Sequence, residues 1–320
     1  MTDPSTPLGV GPSTSLGAGD PLVSLSDVTE IELRILRRMR EFTIGEHSSR
    51  FHGSGFDFVG LRDWQGGDRF ESIDWPQSTL TNFSPLIVRE FEQPTTSSVV
   101  IVADASLSTR CGVNGLPIAA VVARAIATLG MSAVFFQDSV GLITFDNGLR
   151  RLQGLRPRIG KNQVIHCLDA YQFGHGLQEI RQTIGLSGTI AGFMRKTSMV
   201  PVVSDFLFDD ADEVLRELAR LNTTHDVVVA LVDAAFAFDL PAVPAGWVEA
   251  FDVETGLTRT MSRAELRRMG AGVRHWQDEV ARLAAEVDLD VIRLSSDPTE
   301  FDLALVEFVA ERRLRRKVTA

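Results

Sequence analysis

The chain has 320 residues, of which 44 per cent are apolar and 23 per cent charged, with a formal charge of -10. That composition suits a folded domain with a sizeable core and excludes a disulfide miniprotein, a collagen-like or coiled-coil rod and a wholly disordered polypeptide. The acidic balance argues against phosphate-backbone recognition by the surface as a whole, so no nucleic-acid partner is expected.

Residues 1–29 mix Pro, Gly, Ser and Thr, with neither the basic nor the apolar stretch of a secretion signal, and are read as a disordered leader. From residue 30, Ile31, Ile35, Met39 and Phe42 recur at helical spacing and predict a first helix. Residues 53–92 are rich in Gly, Asp and aromatics and keep neither period, so loops and short strands are expected, with LIVREFE (86–92) pairing at an edge. Residues 30–96 are thus expected to form a segment that packs on the sheet of a larger domain, 97–320.

That larger domain is easier to read. SSVVIVAD (97–104), VGLITFD (140–146), MVPVVSDF (199–206), HDVVVALVD (225–233) and VIRLSS (291–296) are short β-branched runs. Between them, residues 117–130 and 209–221 read as helices, the first opened by a proline suited to its first turn. Strands that do not alternate are buried on both faces, which predicts an α/β fold: an open, mostly parallel sheet with helices on both sides. An irregular piece near 237–262, with a Glu254-Thr255-Gly256 turn, predicts a hairpin inserted at the sheet's edge. The helical stretch after it has a weak point at Gly270 and Gly272, and a closing helix ends in ERRLRRKVTA. That tail holds five cations and one anion, leaving 27 cations and 41 anions elsewhere. It reads either as a helix end whose cations meet the negative pole of the dipole, or as a contact for anionic lipid or an acidic partner.

Only two cysteines occur, Cys111 and Cys167, without zinc-ligand spacing, which fits a reducing compartment and a cytoplasmic location. No run of 18 uninterrupted apolar residues occurs, so no membrane span is expected.

In open α/β sheets ligands bind beyond the carboxyl ends of the strands. The first strand of the domain ends in Asp104 and continues to Ser106 and Ser108; the third ends in Ser204-Asp205. Two carboxylates and two hydroxyls converging there make an all-oxygen donor set, suited to magnesium or manganese better than to zinc. The competing reading is that Asp104, Ser106 and Ser108 only cap the following helix.

The D-x-S-x-S run after an apolar strand resembles the metal-ion-dependent adhesion site of von Willebrand factor A domains. The resemblance implies an ion (magnesium, or manganese or calcium) held by Ser106 and Ser108, supported by Asp104 and Asp205, and completed by an acidic residue of a protein partner. It also implies a threonine ligand from a second loop, for which Thr189 of SGT (187–189) is the candidate. More of the chain is similar to the bacterial family called domain of unknown function fifty-eight: FDFVGLRDWQGGDRFESIDW (56–75), LIVREFE, VSDF, THDVVVALV and DVETG fall in that family's order. What this resemblance implies is a non-catalytic adaptor that works with a MoxR-type AAA+ ATPase in assembly or maturation of a client complex. Arg62, Asp68 and Asp74, with Trp64 and Trp75, read either as an ion network with packing aromatics or as a partner surface.

Enzymatic motifs are absent. Neither G-x-x-x-x-G-K-[ST] nor G-x-S-x-G occurs, which removes a P-loop and a serine-hydrolase elbow. The enzymatic alternative is magnesium-dependent phosphoryl transfer with Asp104 as nucleophile, but Ser106 stands where such enzymes place an acid-base aspartate.

Overall fold

The computed structural model describes residues 8–10, 21–46, 57–92, 97–238, 247–252 and 257–308, apart from 67, 69, 71–72, 114, 147–148, 150, 184, 299 and 303 within those spans. The chain divides into two units, Met1–Met39 with Ser97–Ala320, and Arg40–Thr96.

Strand β1 (Leu8–Val10) lies within the stretch expected to be a disordered leader, and helix α1 (Leu25–Glu46) opens there too, five residues before the predicted boundary. Local capping explains the early start. Asp27 Oδ2 accepts the Ser24 amide at 2.8 Å and Ser24 Oγ accepts the Asp27 amide at 3.3 Å, so two of the helix's unpaired amide donors are satisfied reciprocally. Val28, Ile31 and Ile35 form its buried face.

The smaller unit contains strand β2 (Asp57–Asp63), helix α2 (Trp75–Leu80) and strand β3 (Ile87–Glu92). β2 and β3 pair antiparallel in a two-stranded sheet of their own, so LIVREFE is a strand but not on the edge of the main sheet. Arg62 holds Asp68 in a bidentate pair at 2.7 and 2.8 Å, which keeps the Asp68 carboxyl down at about 2. Asp74 caps α2 by accepting the Gln77 amide at 3.2 Å. Trp64 stacks at a tilt on Phe70, whereas Trp75 is 54 per cent exposed and is not core packing.

The larger unit follows the β-branched runs. Its elements are β4 (Ser98–Asp104), the short pair β5 (Gly112–Val113) and β6 (Leu116–Pro117), α3 (Ile118–Phe135), β7 (Ser139–Asp146) and β8 (Arg151–Ile159). Then come α4 (Lys161–Phe173), β9 (Gln178–Glu179), α5 (Gly185–Phe193), β10 (Ser198–Ser204), α6 (Ala211–Asn222) and β11 (Asp226–Val232). The chain continues with β12 (Trp247–Asp252), β13 (Thr258–Ser262), α7 (Arg263–Glu286), β14 (Asp290–Leu294) and helical turns within 298–308.

Seven strands lie in the order β14-β11-β10-β4-β7-β8-β9. The five from β14 to β7 are parallel, and β8 returns antiparallel to β7. The fold is therefore the expected open α/β sheet, of von Willebrand factor A-like type. Val100, Val102, Ile143, Val202 and Val229 pack with Ile190, Leu218 and Val280 of α5, α6 and α7 in one core. α3 and α4 contact the sheet as well. α3 is long and apolar enough to cross a membrane, with a mean hydropathy of 1.9, and 72 per cent of it is buried inside the structure.

Three local expectations change. The hairpin β12–β13 does form within the inserted region, but it joins β1 in a separate three-stranded sheet and does not extend the main one. α7 runs unbroken through Gly270 and Gly272. At Gly270 a side chain would stand 3.2 Å from Phe238 Cβ, so this glycine permits close packing and marks no break. β8 is a strand where the sequence pattern predicts none. The Glu254-Thr255-Gly256 turn and the basic tail lie outside the described residues.

Candidate functional site

The chain leaves β4 toward β7 on one side and later returns to place β10 on the other, so the sheet reverses its strand order between β4 and β10. Such a reversal opens a crevice at the carboxyl ends of the two strands. Val102 pairs with Val202 and Ala103 with Val203, which brings Asp104 level with Ser204 although 100 residues separate them.

Asp104 is 1 per cent exposed, and both its oxygens are engaged. Oδ1 accepts the Ser106 amide at 2.9 Å and its hydroxyl at 2.6 Å; Oδ2 accepts the Ser204 hydroxyl at 2.5 Å. Ser106 and Ser108 put their hydroxyl oxygens 2.9 Å apart. Ser106 stands in the N-cap position of a short 3-10 turn, Leu107–Arg110, yet its side chain makes no capping bond to that turn. Its hydroxyl faces Asp104 and Ser108 instead, which is not the arrangement of a helix cap. The half-buried Tyr171 of α4 supports the same strand end by donating its hydroxyl to the Asp104 carbonyl at 2.8 Å.

Asp205 begins the next turn. Its Oδ1 accepts the Leu207 amide at 3.1 Å, while Oδ2 is buried with no hydrogen-bond partner among the described residues. Burial pushes this carboxyl up to about 7, with the Asp104 charge as the second cause. Burial also raises Asp104, against the hydrogen bonds of Ser106 and Ser204, and the charge of Asp146 at the end of β7 adds to the rise. Burial and then the Asp104 charge raise the phenol of Tyr171 well above its ordinary value. Among the described residues no Lys, Arg or His contributes to holding either aspartate charge. Two neighbouring buried carboxylates without a counter-charge are costly unless one is protonated or a cation lies between them.

This donor set fits a hard divalent cation. It is all oxygen, it holds two acids and two adjacent hydroxyls, and one buried carboxylate oxygen is left unpaired. Among the described residues no group of three or more His, Cys, Asp or Glu forms a site, as expected where half the donors are hydroxyls.

The geometry thus joins Asp104, Ser106 and Ser108, with Ser204, and Asp205 follows Ser204 at the end of β10, where the Asp104 charge reaches it. Thr189 stands apart from them in its bonding: it lies one turn inside α5, donates its hydroxyl to the Gly185 carbonyl at 2.9 Å and accepts the Thr183 amide at 3.0 Å. Sequence reasoning missed Ser204, Tyr171 and Asp146. Ser204 had a signal, because it ends its strand as Asp104 ends β4.

The family model described as protein of unknown function DUF58 matches residues 60–280. The chain belongs to the DUF58 family. No curated protein matches the sequence. The DUF58 span begins in β2 and ends in α7, so it takes in every residue of the candidate site and the strands from β4 to β11.

Proposed function

We propose that this DUF58 protein is a non-catalytic, metal-dependent interaction module, in which Asp104, Ser106, Ser108 and Asp205 would hold a magnesium ion, or manganese or calcium. Thr189 would join this set through a lone pair of its hydroxyl oxygen, whose hydrogen is donated to the Gly185 carbonyl. The observation that carries the reading is the unpaired, buried Oδ2 of Asp205 beside the Asp104–Ser106–Ser108 cluster at the sheet's switch point. A bound divalent ion supplies the counter-charge that the two carboxylates lack and offers a coordination position to an acid of another protein. Magnesium keeps several waters and can exchange one for an incoming carboxylate, so docking depends on both the ion and a single Asp or Glu of the partner. The partner suggested by the family resemblance is a MoxR-type AAA+ ATPase, with the chain as a cytoplasmic adaptor.

Phosphoryl transfer is less well supported. Asp104 is 1 per cent exposed, and Ser106 stands where such an enzyme places its acid-base aspartate.

The test measures Mn2+ binding by electron paramagnetic resonance and retention of the AAA+ ATPase with Mg2+ or EDTA, for the wild type and for Ser106→Ala/Ser108→Ala. The reading expects metal binding and ATPase retention in the wild type alone, both lost in EDTA. Equal retention in every arm overturns it, and phosphoester turnover that Asp104→Asn abolishes replaces it with the enzyme.

A further inference from the structure

Two adjacent side chains of α7 hold the turn that carries Asp205, across a separation of about 70 residues. The Trp276 indole N–H donates to the Phe206 carbonyl at 2.7 Å. The amide nitrogen of Gln277 donates twice, to the Asp205 carbonyl at 3.1 Å and to the Val232 carbonyl at 2.7 Å, and so ties the end of β10 to the end of β11. Gln277 is 1 per cent exposed. A buried glutamine retains its place by satisfying its polar atoms, and here it does so on the backbone of the candidate site.

The turn needs such anchors. Phe206 has φ +53°, a left-handed conformation unfavourable for a bulky residue, and its ring is fully buried. Ser204 Oγ accepts the Phe206 amide at 2.9 Å and Asp205 Oδ1 accepts the Leu207 amide. With both carbonyls engaged by α7, Asp205 Oδ2 is left as the turn's buried, unpaired side-chain oxygen.

We infer that Trp276 and Gln277 are positioning residues that aim the Asp205 carboxylate, so that α7 sets the metal affinity of the site. The inference rests on the metal reading above and adds to it the part of the fold that tunes the ion. Groups that orient a metal ligand typically change affinity ten- to a hundredfold when removed.

The experiment uses the full chain and compares Mn2+ affinity, by electron paramagnetic resonance, with thermal midpoint for four proteins: wild type, Trp276→Phe, Gln277→Leu and Val280→Ala. Val280 is a buried residue of the same helix in the core that also holds Phe206, and its side chain has no polar atom, so its truncation removes apolar packing and leaves the hydrogen bonds of Trp276 and Gln277 in place. The expected result is Mn2+ binding weakened by about ten- to a hundredfold in Trp276→Phe and Gln277→Leu, with wild-type affinity in Val280→Ala despite a lowered midpoint. Should Gln277→Leu fail to fold, Trp276→Phe decides. Wild-type affinity in both α7 variants overturns the inference and leaves the metal reading standing. An equal loss in Val280→Ala shows that affinity follows stability and also overturns it. A wild type that binds no Mn2+ removes the metal reading and the inference with it.

Discussion

Wild-type stability should fall with rising pH through Asp205, opposite to the usual behaviour of paired carboxylates, and replacing Asp205 with Asn should remove that dependence. The carboxyl ionises at about 7 in the folded chain against an ordinary 3.8, chiefly because it is buried. The native state therefore holds this proton more tightly than the unfolded state does. The stability associated with it is full below the unfolded value, falls as pH rises toward about 7, and is flat above. A difference of about three pH units corresponds to roughly 4 kcal/mol. Asn removes the charge but leaves a buried amide without an acceptor, which costs about 1–3 kcal/mol. In EDTA, Asp205→Asn is expected to be no more stable than wild type near pH 4 and more stable by about 1–3 kcal/mol near pH 8. Urea unfolding across that range, read as the difference between the two proteins, reports on Asp205 together with its neighbour Asp104 and cancels titrations remote from them. On the metal reading, added Mg2+ at the alkaline end should stabilise wild type more than the variant, which lacks one of the proposed carboxylate ligands. A difference that stays constant with pH refutes the claim that Asp205 is a buried acid without a counter-charge.

Other consequences follow from packing and ion pairing. Asp302 is 3 per cent exposed and accepts from Arg124, Arg34 and Thr128, so Asp302→Ala takes the shared carboxylate from two half-buried guanidinium groups and should cost about 1–3 kcal/mol in urea unfolding. Gly154→Ala would place a methyl 2.8 Å from the Phe193 ring and 3.0 Å from Ile180 Cδ1; it should destabilise by about 1–3 kcal/mol, visible as a lowered thermal midpoint. Burial pushes the Cys167 thiol up to about 12, so Ellman's reagent at mildly alkaline pH should modify it in denaturant and leave it intact in the native chain.

The parallel strands were readable because burial on both faces demands unbroken β-branched runs, and β4, β10 and β11 are built that way. β8 obeys a different physics. Its sequence RLQGLRPRI is interrupted by Gly154 and Pro157 and carries three arginines, because it returns antiparallel near the edge, next to the two-residue β9. Proline and charge are what an edge tolerates and what a propensity argument counts against a strand. Gly270 misled in the same manner: a glycine inside a helix reads as a break until the Phe238 side chain that packs on it is known.

The candidate site divides along the same line between local and distant. Asp104, Ser106 and Ser108 share one turn, and Ser204 and Asp205 share another, so each half is a short string whose chemistry is visible in order. What joins the halves is strand order, which no short string contains: β10 lies beside β4 only because the chain reverses there. The supports are harder still. Tyr171, Trp276 and Gln277 sit in helices among ordinary neighbours, and each acts on a backbone carbonyl, an acceptor that every residue has and that no motif can single out. Thr189 depends on its local surroundings as well. A small residue pair before threonine resembles a ligand loop, but once α5 starts at Gly185 the hydroxyl has a carbonyl four residues back within 2.9 Å and bonds to it. The start of the helix, not the residue type, sets which carbonyl the hydroxyl donates to.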